Sequence, residues 1–241
     1  MPSYPRHLII HDGATFHLTW QCHNKSWFLK ENWAKQLYYN LLLKWKDHYG
    51  VTFYAYNLMD SHPHLVGKTE KREGISHLMR RVNCIFAKMI NKAKGRRGQV
   101  VMDRFKSPNI QSDEHLLNVM TYIDLNPCRA NKVKHPSKYK WSSYNFYAFG
   151  TKDPLVTPAP TYLALANTDK ERQKIYRDMV EELIEDGLKK QEYSRVHFIG
   201  NPDWVKSNHD ALKEEMRERI LLWKQHTANR SYTEEVLVNT S

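Results

Sequence analysis

Between Ile75 and Lys94, the apolar residues Ile75, Leu78, Met79, Val82, Ile85, Phe86, Met89 and Ile90 recur with i, i+3, i+4, i+7 spacing. That period lines one side of an α-helix, while Arg80, Arg81, Lys88 and Lys92 occupy the other. A helix this one-sided has to lay its apolar stripe on a second layer of structure. The rest of the chain must supply that layer.

Strand-like segments flank the helix in sequence. Thr15–Cys22 alternates polar with apolar residues and is rich in strand formers. Val51–Met59 is β-branched and aromatic, and after the turn-like Asp60-Ser61 the segment His62–Val66 reads as its antiparallel partner. Pro63 marks that partner as an edge or irregular strand. From Glu31 to Tyr49, Trp33, Leu37, Leu41 and Trp45 recur every fourth residue as the apolar face of another helix, which Gly50 stops.

Beyond the basic loop Lys94–Gly98, a short strand is expected near Ser107–Gln111. Ser112 then caps a helix carrying Asp113 and Glu114 in its first turn, and Pro127 ends it at Asn126. The order β-α-β-β-α-β-α predicts an α+β fold, an antiparallel sheet with helices packed on it, ferredoxin-like or RRM-like. A Pro-containing linker, Pro154–Pro160, leads to charged helices near 169–191 and 208–225, and the last dozen residues are expected to fray. The chain thus reads as a domain over 1–150 followed by a mainly helical C-terminal extension over 151–241, whose role the sequence leaves open.

The composition, 41% hydrophobic and 26% charged, is that of a globular protein. No stretch approaches the roughly 18 apolar residues that span a bilayer, and Met1–Arg6 lacks the apolar segment of a secretory signal. A soluble, cytoplasmic protein without a membrane partner is expected. Cys22, Cys84 and Cys128 are far apart and form no C-x-x-C pair, so they read as reduced and structural.

The formal net charge of +11 is unevenly placed. Residues 1–152 hold 24 Lys/Arg against 10 Asp/Glu, and residues 153–241 hold 13 against 16. No acid occurs between Glu73 and Asp103, or between Asp124 and Asp153. A regional excess of this kind attracts a polyanion through phosphate contacts and counterion release. Nucleic acid is the first partner to consider. The second acid-free stretch interleaves Arg129, Lys132, Lys134, Lys138 and Lys140 with Tyr139, Trp141, Tyr144, Phe146, Tyr147 and Phe149. These aromatics can stack unpaired bases or, for about half of them, fill a core.

Two short motifs can carry chemistry. On a strand, His62 and His64 point to the same side, so both imidazoles can meet one metal ion. In a chain with 13 histidines the spacing also arises by coincidence. Tyr122 lies near the end of the third helix, with Asn126 one turn later on the same side. A tyrosine there is commonly a core residue, and its phenol needs a nearby cation to become a nucleophile. A metal held by two imidazoles and an amide oxygen would keep positive charge and open positions for a phosphodiester.

The ordered blocks Phe16-His17-Leu18-Thr19, Met59–Leu65, Asp103-Arg104-Phe105-Lys106-Ser107, Tyr122–Ala130 and Trp141-Ser142-Ser143-Tyr144 resemble the REP-associated tyrosine transposases. That family is a branch of the single-tyrosine HUH transposases, and the likeness covers roughly residues 4–150. It implies that His62 and His64 ligate Mg²⁺ or Mn²⁺, with Asn126 as a third ligand. Tyr122 would then attack the scissile phosphate, forming a 5′-phosphotyrosine and freeing a 3′-OH. Arg104, Lys106 and Arg129 become contacts to phosphate or to a DNA hairpin, with Arg80, Arg81 and Lys132 as further basic candidates for DNA binding. The resemblance further implies single-stranded or hairpin DNA as partner, a nucleoid-associated location, and a monomer or homodimer. Pro63 stands where relatives have a bulky apolar residue, Asp60-Ser61 where many have Pro-Asn, and Cys128 where Val is frequent. Two rival readings keep the same residues: a domesticated nucleic-acid-binding protein that no longer cuts, and a phosphodiesterase that uses water in place of tyrosine.

Overall fold

The computed structural model describes residues 5, 8–111, 113–188, 193 and 196–238, with the backbone alone at 113 and 225–238. It forms two compact units, Met1–Gly200 and Asn201–Ser241. In the first unit, β1 (Thr15–Thr19) is followed by α1 (Asn32–Trp45), β2 (Val51–Leu58), β3 (Pro63–Thr69), α2 (Gly74–Ala93), β4 (Asn109–Ile110) and α3 (Asp113–Asp124). This is the element order expected from the sequence. Ser112, the expected cap of α3, lies outside the described residues. The short helices α4 (Asn126–Arg129), α5 (Tyr144–Phe149) and α6 (Pro160–Leu163) follow, then α7 (Asp169–Glu185) and β5 (Phe198–Ile199).

The five strands form one sheet in the order β2-β3-β1-β4-β5. It is mixed rather than purely antiparallel, because β5 pairs with β4 in parallel. A strand from beyond residue 150 therefore completes the sheet, and the packing boundary follows Gly200 instead of the change in charge. β3 is an interior strand, contrary to the edge position that Pro63 suggested. Proline is accommodated because it is the first residue of the strand, opposite Leu58.

The residues of β1 alternate between the two sides of the sheet. Trp20, in line with Phe16 and Leu18, packs against Tyr38 of α1 and Phe86 of α2, with ring centroids 5.6 and 6.1 Å away. The stripe of α2 is buried at Ile75, Leu78, Met79, Val82, Phe86 and Ile90, while Met89 is exposed. On α1 the buried positions are Ala34, Lys35, Tyr38, Leu41 and Leu42, and Trp33 faces solvent. Each four-residue step overshoots a helical turn by about 40°, so the every-fourth series read from the sequence spirals off the buried side.

α3 lies on the other side of the sheet, where Asn57 of β2 donates from Nδ2 to the carbonyl of Ile123 at 2.7 Å. The outer edge of β2 is covered by the aromatic segment 139–157. Tyr139 and Tyr147 donate their hydroxyls to the carbonyls of Leu58 and Tyr54 at 2.8 and 2.7 Å. Leu58 N–H donates to Trp141, and Thr157 N–H to Phe53. Tyr139, Trp141, Tyr144 and Tyr147 are buried, Phe146 is half-buried and Phe149 is exposed, so Tyr139, Trp141 and Tyr147, considered for base stacking, serve instead to close a sheet edge. Residues beyond 150 are tied in by Asp153, which accepts from Tyr39 and Tyr56 at 2.6 and 2.8 Å. Asp124 likewise accepts from Tyr176 of α7 at 2.8 Å, and its burial pushes its pKa up to about 8.

Cys22 and Cys128 are buried and Cys84 is exposed on α2, none of them in a disulfide. The second unit is one helix, α8 (Pro202–Val238). It runs beyond the expected end near 225 because neither Gly nor Pro interrupts it after Pro202. Among the described residues no helix is long and apolar enough to cross a membrane.

At Gly67 of β3, a Cβ would fall 2.1 Å from the Thr52 carbonyl oxygen, beside the register shift between Phe53 and Ala55. Gly67→Ala is expected to destabilise the fold by about 1–3 kcal/mol, as overpacking at a site that cannot relax. A denaturant titration of the variant against wild type checks this.

Candidate active site

The turn between β2 and β3 is held from three directions. Asp60 accepts from the buried Lys35 of α1 at 2.7 Å and also pairs with Lys132. The backbone N–H groups of Leu29 and Cys22 donate to the carbonyls of Asp60 and Ser61 at 2.9 and 2.8 Å. Together these contacts fix the chain entering His62 and His64.

His62 immediately precedes β3, and its Nδ1 lies 2.9 Å from Ser61 Oγ. His64 stands on the α3 side of the sheet, with its ring centroid 4.9 Å from that of His62. On the adjacent β1, His17 places Nε2 at 2.9 Å from His64 Nδ1, the two rings nearly parallel at 13°. Both Nδ1 atoms of the His62/His64 pair are thereby occupied, which leaves their Nε2 atoms as candidate donors to a metal. His17 carries no local signal of a role in the sequence, because its place beside His64 depends on the register that pairs Thr19 with His64.

Burial is the main cause holding these imidazoles neutral. It lowers the pKa of His62, lowers that of His64 well below the ordinary value, and brings that of His17 to about 4. Neutral imidazole is the form that can ligate a metal.

Tyr122 reaches the same side of the sheet from α3, its ring 6.4 Å from that of His64 and nearly perpendicular to it. α3 ends at Asp124, and Leu125 continues with near-helical angles into α4, whose first turn accommodates Pro127. Asn126 and Arg129 consequently follow Tyr122 at one-turn intervals. Arg129 lies over the Tyr122 ring, with Cζ 4.5 Å from the centroid. Its Nη1 donates to the Tyr122 carbonyl at 2.7 Å and to Asn126 Oδ1 at 3.3 Å, and its Nε to the Leu188 carbonyl at 3.3 Å. Asn126 Nδ2 is buried without a hydrogen bond among the described residues, so one end of this amide is unsatisfied beside the cleft. Tyr193 stands edge-on against Tyr122 at 4.9 Å.

His62, His64, Tyr122, Asn126 and Arg129 line an open cleft of about 910 Å³ that also receives Arg104, Lys106 and Lys25. Lys106 is brought there by its bridge to Thr19 of β1. Lys132 stands next to the cleft-lining Asn131, paired with Asp60. Arg80 and Arg81 are not brought to the cleft. They project from α2 on the opposite side of the sheet, with the Arg81 guanidinium 4.6 Å from the Trp45 ring centroid. Among the described residues no three His, Cys, Asp or Glu side chains gather to hold a metal. The donor set is two imidazoles with an amide beside them, which suits an open coordination site completed by water or phosphate oxygens.

Residues 11–126 match the family model of the IS200-like transposases. No curated protein matches the chain. Among solved structures, one described as "Structure of the REP associates tyrosine transposase bound to a REP hairpin" is similar, with a TM-score of 0.51 and 20% identity over 66% of this chain and 93% of that one. At that identity the likeness concerns the fold, and it agrees with the α+β architecture.

Because the unfolded chain takes up protons below about pH 6.5 that buried His17 and His64 refuse, stability falls as pH drops from 6.5 toward 4. His17→Gln is expected to lessen that acid-side loss, by about 3 kcal/mol at most for one group displaced from 6.5 to about 4. Melting temperatures measured across this pH range for both proteins check it.

Proposed function

We propose that the protein is a single-strand DNA transposase that nicks and rejoins hairpin-bearing DNA, with Tyr122 as nucleophile and His62, His64 and Asn126 as the ligands of Mg²⁺ or Mn²⁺. The observation that carries this reading is the convergence of His62, His64 and Tyr122 on one cleft from separate elements, under the Arg129 guanidinium. The family match supports a transposase role, and the similar structure described with a hairpin supports the choice of DNA.

A divalent cation held by the two Nε2 atoms would supply positive charge to a phosphodiester oxygen. Arg129 stabilises negative charge on the Tyr122 oxygen as its proton leaves to water, the service a phenol needs to attack at neutral pH. The Tyr122 oxygen bonds to phosphorus, the bond from phosphorus to the 3′ oxygen breaks, and that oxygen takes up a proton. The products are a 5′-phosphotyrosine and a free 3′-OH, and attack by a 3′-OH reverses the step. Arg104 and Lys106 hold the flanking phosphates. His17 fixes His64 in the tautomer that offers Nε2, by accepting from its Nδ1–H.

Incubation with a labelled single-stranded hairpin and Mn²⁺, followed by denaturing electrophoresis, tests the assignment. Wild type is expected to form a covalent protein–DNA adduct that Tyr122→Phe abolishes while hairpin binding persists. Cleavage surviving in Tyr122→Phe would point to hydrolysis by water, and binding without cleavage to a protein that no longer cuts. Separately, His64→Ala is expected to weaken Mn²⁺ binding at least about tenfold, since loss of a group that only orients a ligand already costs about 10–100-fold in such sites, as read by titration calorimetry without DNA.

A further inference from the structure

Trp27 is more than half exposed, at 61%. An isolated exposed tryptophan needs no explanation by itself, but its setting here is unusual. The loop that carries it is pinned on both sides to the turn before the paired histidines. Cys22 N–H donates to Ser61, Leu29 N–H donates to Asp60, and Leu29 is fully buried. Between these anchors Asn24 and Lys25 take left-handed backbone angles, φ 50° and 54°, which turn the chain outward. The exposed indole therefore sits on an anchored loop whose Lys25 lines the cleft.

Cations surround it. Lys30 Nζ lies 5.4 Å and Lys132 Nζ 6.0 Å from the Trp27 ring centroid, and Arg96 lies 4.7 Å from the ring of the neighbouring Phe28. Lys25 lines the cleft itself. The carboxylates nearby are already engaged with lysine: Glu31 with Lys94 at 2.6 Å, and Asp60 with both Lys35 and Lys132. The patch thus keeps positive charge around an aromatic surface, the combination that binds the backbone and stacks the bases of unpaired nucleic acid.

We infer that Trp27 is a stacking platform for an unpaired base of the DNA strand that enters the cleft, with Lys25, Lys30, Arg96 and Lys132 contacting its phosphates. This rests on the proposed action on single-stranded DNA and adds a subsite outside the reacting centre. The surface takes an unpaired base because an indole ring needs an open base surface, which duplex stacking hides.

Anisotropy titrations in the absence of metal, so that no strand is cut, test the inference with four probes: a blunt hairpin, the same hairpin with a 5′ or a 3′ single-stranded extension, and an unstructured single strand. Wild type is expected to bind one extended hairpin more tightly than the blunt one. Trp27→Ala should lose about tenfold in affinity for that extended hairpin and for the single strand, leave the blunt hairpin unchanged, and keep the wild-type melting temperature. Trp27→Phe should restore most of the loss, since a phenyl ring also stacks. Lys30→Gln should reduce the salt dependence of binding to the extended hairpin by about one phosphate contact. Trp27→Ala binding every probe as wild type does, or weakening the blunt hairpin equally, would overturn the inference. If hairpins are not bound at all, the proposed function fails, and the single-strand probe still decides the role of Trp27: a loss supports the platform and unchanged binding rejects it.

Discussion

Placement of β3 between β2 and β1 governs the rest of the molecule. Its antiparallel register with β1 sets Thr19 opposite His64 and brings His17 within a hydrogen bond of the His64 ring. Its register with β2 sets Asn57 opposite His64, and Asn57 in turn holds the end of α3 through the Ile123 carbonyl. The same pairings therefore place the two histidines and the helix that delivers Tyr122. A slip of one residue in either pairing would turn His64 to the side occupied by α1 and α2.

Electrostatics follows from that geometry. The sheet surface under α3 buries His17 and His64 and half-buries His62, and burial disfavours the charged forms of all three imidazoles. The Arg129 guanidinium lies over the Tyr122 ring, and among the described residues its hydrogen bonds go to backbone carbonyls and an amide. Its positive charge remains available to an anionic substrate. Asp60, in contrast, is matched by Lys35 and Lys132, so its role is to hold the turn.

The back of the chain contributes more to this unit than its composition suggested. Asp153, Tyr176 and β5 are each built into the sheet or its covering layers. The charge boundary near residue 152 marks where phosphate attraction is no longer concentrated. It carries no information about where packing stops, because the segment 153–200 attaches through tyrosine hydroxyls, the carboxyls of Asp124 and Asp153 and backbone pairing, and a regional net charge does not record such pairings.

The sequence by itself determined the element order, the amphipathic α2, the antiparallel β2–β3 pair, and the motifs that hold His62, His64, Tyr122 and Asn126. These are local: they depend on side-chain period and on spacing within a few residues. Only the tertiary structure decided that β3 is interior, that β5 completes the sheet, that Arg80 and Arg81 face away from the cleft, and that the aromatics of 139–147 cover an edge strand. It alone brought His17 to His64, Arg129 onto Tyr122, and Lys132 to Trp27. Each of these rests on strand register and on the side of the sheet a helix takes. Both are set by contacts between residues remote in sequence, for which local periodicity has no signal.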